Sequence, residues 1–251
     1  MRLTVIGCSG SYPGPNSPAS CYLLESEHEG RTWRVLLDLG NGALGDLQRY
    51  IDPVTVDAVL LSHLHADHCL DLCGFYVLRK YHPTGPQPRI PVWGPEGTAL
   101  RMAKAYDLDE DPGMNEEFDF RPYTGPIEVG PFIVTATEVA HPVTAYGLRI
   151  RGDGRTLAYS GDTGACDALV ATARDVDLFL CEASFVEGHS NPPDLHLTGA
   201  EAGQMATAAG AQRLVLTHVP PWHDSQIMLR EARETYAGPL ELAEPGKTYE
   251  L

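Results

Sequence analysis

His63-Leu64-His65-Ala66-Asp67-His68 sets four metal-ligand side chains within six residues, directly after Val59-Leu60-Leu61-Ser62. Val56 to Leu61 reads as a short buried strand and Leu70 to Tyr81 as a helix, which predicts a strand-to-helix loop for the cluster. In an extended chain, residues two apart project the same way, so His63 and His65 can grip one ion. Asp67 and His68, where the chain turns into the helix, can face a second. A lone histidine is ordinarily a surface or hydrogen-bonded core residue. Three of them with an aspartate, in H-x-H-x-D-H order at a strand end, point to metal.

Three further ligand-type residues share this address. His141 follows Ile133-Val134-Thr135-Ala136-Thr137-Glu138-Val139-Ala140, Asp162 follows Leu157-Ala158-Tyr159-Ser160-Gly161, and His218 follows Leu214-Val215-Leu216-Thr217. Each stands just past the carboxyl end of an apolar strand, where α/β sheets gather their sites. Imidazole and carboxylate suit zinc and its neighbours, and the lack of paired cysteines argues against a structural thiolate site. A carboxylate can bridge two cations about 3.5–4 Å apart. His63, His65 and His141 are therefore assigned to one ion, Asp67, His68 and His218 to the other, and Asp162 to both. Two divalent ions lower the pKa of a shared water and yield hydroxide near neutral pH. Zinc is the first choice, with manganese and iron also compatible.

The rest of the chain alternates strand-like and helix-like stretches. Strands are predicted at Leu3 to Gly7, Cys21 to Glu25, Trp33 to Asp38, Ile90 to Trp93, Phe132 to Val139, Tyr146 to Arg151, Leu157 to Ser160, Leu178 to Cys181 and Leu214 to Thr217. Helices are predicted at Leu44 to Ile51, Thr98 to Tyr106, Cys166 to Ala173, Gly199 to Ala209 and Gln226 to Tyr236, with an acidic loop over Asp107 to Asp119. Two β-rich halves, each closing with helices, predict an α/β fold: a four-layer α/β/β/α sandwich, one domain over residues 1–251.

At 251 residues the chain can bury a sizeable core without staples. No stretch approaches the ~20 apolar residues of a membrane span. Met1-Arg2-Leu3-Thr4-Val5-Ile6-Gly7 reads as a strand and not as a signal peptide. Six cysteines show no disulfide spacing, and Cys69-x3-Cys73 lies in an apolar helix where packing is the better reading. Together these point to a reducing, cytoplasmic compartment. Net charge is −16, from 18 Lys+Arg against 34 Asp+Glu, with no basic run. That disfavours nucleic acid as a partner, because phosphate neutralisation drives such binding. A small phosphate ester held by metal ions stays open.

The histidine cluster, Ser160-Gly161-Asp162-Thr163 and Thr217-His218 resemble the metallo-β-lactamase superfamily, in its usual order. The resemblance implies an αββα fold and hydrolysis by metal-bound hydroxide, but the superfamily hosts many substrates. Cys181-Glu182-Ala183-Ser184-Phe185 and His196-Leu197-Thr198 resemble the accessory motifs of its RNase Z branch, where the glutamate and histidine relay a proton to the leaving oxygen. That makes Asp67, Glu182 and His196 the catalytic candidates. The alternative for Glu182, which ends a strand, is to cap a neighbouring element, and Thr198-Gly199-Ala200-Glu201 fits a helix capping box.

Two departures separate this chain from RNase Z. Only 20 residues lie between His141 and Asp162, leaving no room for a tRNA-holding arm, and the loop Gly10-Ser11-Tyr12-Pro13-Gly14-Pro15-Asn16-Ser17 lacks lysine and arginine. Gly7-Cys8-Ser9-Gly10-Ser11, the cluster itself, Pro193-Asp194-Leu195-His196-Leu197 and His218-Val219-Pro220-Pro221-Trp222 are similar to a small bacterial group described as cyclic-nucleotide phosphodiesterases. The resemblance implies hydrolysis of a small phosphodiester, a 3′,5′-cyclic nucleotide first, and a homodimer of the kind common among relatives. A tRNA 3′-processing endonuclease, a lactonase or thioesterase, and a non-catalytic binding module are the rivals. His28, His82, His189 and His223 are expected at the surface, with a place at the pocket mouth as the alternative for His223 and Trp222.

Overall fold

A computed structural model describes residues 1–251. Its first half holds β1 (Arg2–Gly7), β2 (Cys21–His28), β3 (Arg31–Leu37), α1 (Ala43–Leu47), β4 (Ala58–Leu60), α2 (Ala66–Cys69), α3 (Leu72–Lys80), β5 (Ile90–Gly94), α4 (Thr98–Ala105) and β6 (Phe118–Pro122). The second half holds β7 (Ile127–Val129), β8 (Phe132–Glu138), β9 (Tyr146–Gly152), β10 (Arg155–Tyr159), α5 (Asp167–Thr172), β11 (Leu178–Glu182), α6 (Gly199–Ala209), β12 (Leu214–Thr217), α7 (Ser225–Thr235), β13 (Leu240–Leu242) and β14 (Thr248–Glu250).

The strands form two seven-stranded mixed sheets, ordered β14-β1-β2-β3-β4-β5-β6 and β13-β12-β11-β10-β9-β8-β7. Strand alternation builds the layers. Val35 and Leu37, with Leu178 and Leu180, point into a core between the sheets. Leu36 points outward onto Leu47, Phe75 and Met102 of α1, α3 and α4. Phe179 and Cys181 point outward onto Leu169, Ala206 and Met228 of α5, α6 and α7. Strands buried on both faces must be apolar throughout, which is why Val35-Leu36-Leu37 and Leu178-Phe179-Leu180-Cys181 read as continuous runs. The architecture is the expected αββα sandwich.

Local differences from the sequence expectations have identifiable causes. The helix expected from Leu70 starts earlier as α2 and breaks at Leu70-Asp71. Asp71 accepts a hydrogen bond from the Leu44 amide at 2.8 Å, tying the break to α1. Asp67 and His68 thus sit on a helix and not on a loop. Phe118 and Asp119, expected in the acidic loop, begin β6, which pairs with β5 over Ile90 to Gly94. The β2–β3 hairpin turns at Glu29-Gly30, so its polar connector is shorter than the Ser26 to Arg31 expected. Between β9 and β10 the chain needs only an Asp153-Gly154 turn, both residues at positive φ (54° and 73°). That is the asparagine- or aspartate-glycine signature of a tight hairpin.

Candidate metal centre

Strands β3 and β4 run parallel in one sheet, as do β10, β11 and β12 in the other. Their carboxyl ends, with that of β8, meet at one edge of the sandwich. The loop after β4 stays extended through His65 (φ −66°, ψ 152°), so His63 and His65 project together. His63 Nε2 lies 3.0 Å from His65 Nδ1, and His141 Nε2 lies 3.3 Å from that same atom. His63 Nε2 lies 3.6 Å from Asp162 Oδ2. These four groups form one candidate cluster.

A second cluster joins Asp67, His68, Asp162 and His218. His68 Nε2 is 3.2 Å from Asp162 Oδ1 and 3.6 Å from Asp67 Oδ2. His218 Nε2 is 3.3 Å from Asp162 Oδ2 and 3.7 Å from Asp67 Oδ2. All seven residues named from the sequence converge, and Asp162 belongs to both groups.

The donor set fits cations. His68 Nε2, His218 Nε2 and Asp162 Oδ1 are buried without a hydrogen-bond partner. Each such orphan costs about 1–3 kcal/mol, and three of them face one point. Burial holds the rings of His63, His141 and His218 below the ordinary imidazole pKa, keeping lone pairs available. Burial alone would raise the Asp162 carboxyl, yet His218, His68 and His63 hold it well below the usual range, so it stays ionised.

Asp38, unremarked in the sequence, anchors the cluster from behind. It is fully buried at the end of β3 and accepts from Ser62 N (2.7 Å), Ser62 Oγ (2.8 Å), Tyr159 OH (2.6 Å) and His68 Nδ1 (2.7 Å). A carboxylate only accepts, so His68 carries its proton on Nδ1 and turns Nε2 toward the site. Ser20 Oγ, 3.0 Å from His218 Nδ1, and the Leu195 carbonyl, 2.9 Å from His141 Nδ1, orient two other rings. Asp38 and His218 both sit at positive φ (57° and 56°), strain of the kind that functional edges hold. The missed signal was the one used for Asp162: an acid just past a strand whose last residues are apolar and buried. Asp38→Asn is expected to weaken metal binding about 10–100-fold, as losses behind a ligand do, in a competitive chelator titration.

Glu182 and His196 meet beside Asp162. His196 Nδ1 donates to Glu182 Oε1 at 2.9 Å, and lies 4.0 Å from Asp162 Oδ2. Glu182 also accepts from the amides of Thr163 (2.8 Å) and Leu197 (3.4 Å). Burial disfavours the imidazolium, but the charge and hydrogen bond of Glu182 outweigh it and raise His196 to about 9. The capping box forms as well, with Thr198 and Glu201 bonded reciprocally at the start of α6. The capping reading therefore holds on Thr198 and Glu201, and His196, two residues ahead, is left to pair with Glu182.

Gly10 packs against the backbone and ring of His218, a spot where any Cβ would collide. It carries the loop bearing Tyr12, whose ring lies 5.2 Å from that of Trp222; Trp222 is 59% exposed. Cys69 Sγ donates to the carbonyls of Leu64 and His65, so it braces the loop from behind.

A family model described as the beta-lactamase superfamily domain matches residues 33–219, from β3 to just past His218. The chain belongs to the metallo-β-lactamase superfamily. A protein of Mycobacterium tuberculosis, described as uncharacterized, is 46% identical across 100% of this chain and 92% of its own. The probable metallo-hydrolase YhfI of Bacillus subtilis is 30% identical, with both chains covered fully. Its crystal structure superposes with a TM-score of 0.88 at 28% identity, covering 100% of this chain and 99% of that one. A Ribonuclease Z of Myxococcus xanthus is 30% identical over 100% of this chain and 98% of its own. The superfamily match and the metallo-hydrolase among its relatives support a metal-dependent hydrolase. No helix is long and apolar enough to cross a membrane.

Proposed function

We propose that this protein is a two-metal phosphodiesterase that hydrolyses a small phosphodiester, a 3′,5′-cyclic nucleotide to a 5′-nucleotide. The observation that carries this reading is the His196–Glu182 pair beside Asp162, within 4.8 Å of ligand-type atoms. An alkoxide leaving from phosphorus needs a proton; an enzyme that only bound metal would need no such pair. In this reading His63, His65, His141 and Asp162 hold one divalent ion, and Asp67, His68, His218 and Asp162 hold the other. Bound there, two zinc, manganese or iron ions would supply Lewis-acid stabilisation of phosphoryl oxygens and a water acidic enough to attack near neutral pH.

The chain's own groups do the rest. Asp67 accepts no hydrogen bond from the protein, so a carboxylate oxygen is free to take one from the attacking water and aim it. His196 presents Nε2–H to the departing ribose oxygen while Glu182 holds Nδ1. Proton donation by a positioned imidazole is ordinary general-acid chemistry.

The −16 charge and the tight β9–β10 hairpin favour a small substrate over tRNA. The Ribonuclease Z alignment spans 313 positions against 251 residues here, so that enzyme carries segments with no counterpart in this chain. Purified protein loaded with zinc or manganese should hydrolyse 3′,5′-cyclic nucleotides to 5′-monophosphates in a chromatographic assay. It should leave precursor tRNA uncut on a gel and lactones untouched. Cleavage of the tRNA without cyclic-nucleotide turnover would overturn the reading.

A further inference from the structure

Beside the metal centre lies a cavity of about 460 Å³, within the roughly 300–1,000 Å³ span of ligand pockets. His65 belongs to both. Its Nδ1 faces His63 and His141, while its ring also lines the cavity. Leu64 and Val143 supply apolar wall, and Glu96 and Arg101 supply the charges. Val143 is 41% exposed, in the loop just past His141.

Arg101 is the anomaly. It is half-buried in the first turns of α4, where the helix dipole disfavours a cation. Most other cations of this acidic chain that lie half-buried are bound: Arg34 to Glu25, Lys80 to Glu116 and Glu117, Arg149 to the Thr172 and Arg174 carbonyls, and Lys247 to Glu241; Arg213 alone shares the lack of a partner, away from the metal centre. Arg101 makes neither hydrogen bond nor ion pair within the chain, although Glu96 lines the same cavity. A planar fork of donors, left free against an apolar wall with one carboxylate opposite, suits a planar heterocycle. Guanidinium donates to ring nitrogens and carbonyls or stacks on a π-face, and carboxylate accepts from amino or hydroxyl groups.

We infer that this cavity is a nucleoside subsite, in which Arg101 binds the base and Glu96 accepts from an amino or hydroxyl group while the phosphorus lies at the metals. The inference rests on the phosphodiesterase reading for the placement of the phosphate, and it adds a specificity residue no metal chemistry requires.

The test separates the two. Metal-loaded wild type and Arg101→Ala are titrated calorimetrically with the four 5′-ribonucleoside monophosphates and with inorganic phosphate. The variant should lose about tenfold to a hundredfold in affinity for the preferred nucleotide, the span of a charge-assisted hydrogen bond, with phosphate binding unchanged. In turnover, KM for the cyclic nucleotide should rise by a similar factor with kcat nearly kept. Arg101→Lys should recover only part of the loss. Equal nucleotide affinity in wild type and Arg101→Ala overturns the subsite. So does a parallel loss of phosphate binding, or full rescue by lysine, either of which reduces Arg101 to a general attractor of anions. Arg101-dependent nucleotide binding without cyclic-nucleotide turnover keeps the subsite and removes the reaction; turnover with an unchanged KM does the reverse.

Discussion

Asp162→Ala is expected to strip both metal positions at once and to abolish turnover. The carboxylate is 2% exposed and stands in both ligand clusters, its Oδ1 toward His68 and its Oδ2 toward His63 and His218. Removing any one histidine leaves three groups around one ion and four around the other. Removing Asp162 leaves three around each, and also deletes the only negative charge that belongs to both. The variant's activity should fall by more than the about 10²–10⁴-fold typical of losing a general acid, because the nucleophile itself is lost. Elemental analysis of protein purified from metal-supplemented cells should show two ions per chain in wild type and close to none in the variant. Circular dichroism should show the sandwich intact, since the three hydrophobic layers that build it do not involve this residue. Two ions retained per chain would end the idea of a shared carboxylate.

What the sequence disclosed follows from which interactions are local. The αββα layering was legible because both sheets have central strands buried on two faces, and such strands must be written as unbroken apolar runs. The seven ligand-type residues were legible because each stands just past the end of a strand or sits in the six-residue cluster. Four strands were not: β6, β7, β13 and β14 are three to five residues long. In β14 only Tyr249 is buried, and Thr248-Tyr249-Glu250 acquires strand geometry by pairing with β1. Nothing local marks it. Asp38 shows a subtler failure. Its role exists only because Ser62, His68 and Tyr159 arrive from two other strand ends, in both sheets. Arg101 escaped for the opposite reason, since the signal there is a missing partner, which no sequence displays.

His196→Ala should leave metal content unchanged and still cost about 10²–10⁴ in turnover of a cyclic nucleotide, the span of a positioned general acid. The imidazole lies outside the two clusters assigned to the ions; it is hydrogen-bonded to Glu182, stands 4.0 Å from Asp162, and packs its ring beside Phe185, His141 and His218. Its loss therefore removes a proton and not a ligand. The leaving group supplies the control. A ribose alkoxide is a poor leaving group without a proton, whereas p-nitrophenolate departs readily as the anion. The same variant should thus lose far less with bis-p-nitrophenyl phosphate than with a cyclic nucleotide. Glu182→Gln should fall between, because the amide can still hold the ring at Nδ1 but no longer stabilises its charge. An equal loss on both substrates would assign His196 to site architecture, and wild-type turnover of the cyclic nucleotide by His196→Ala would remove it from the chemistry altogether. Either result leaves the metal clusters standing, since the Asp162 variant tests them by counting ions and this one by the basicity of what departs.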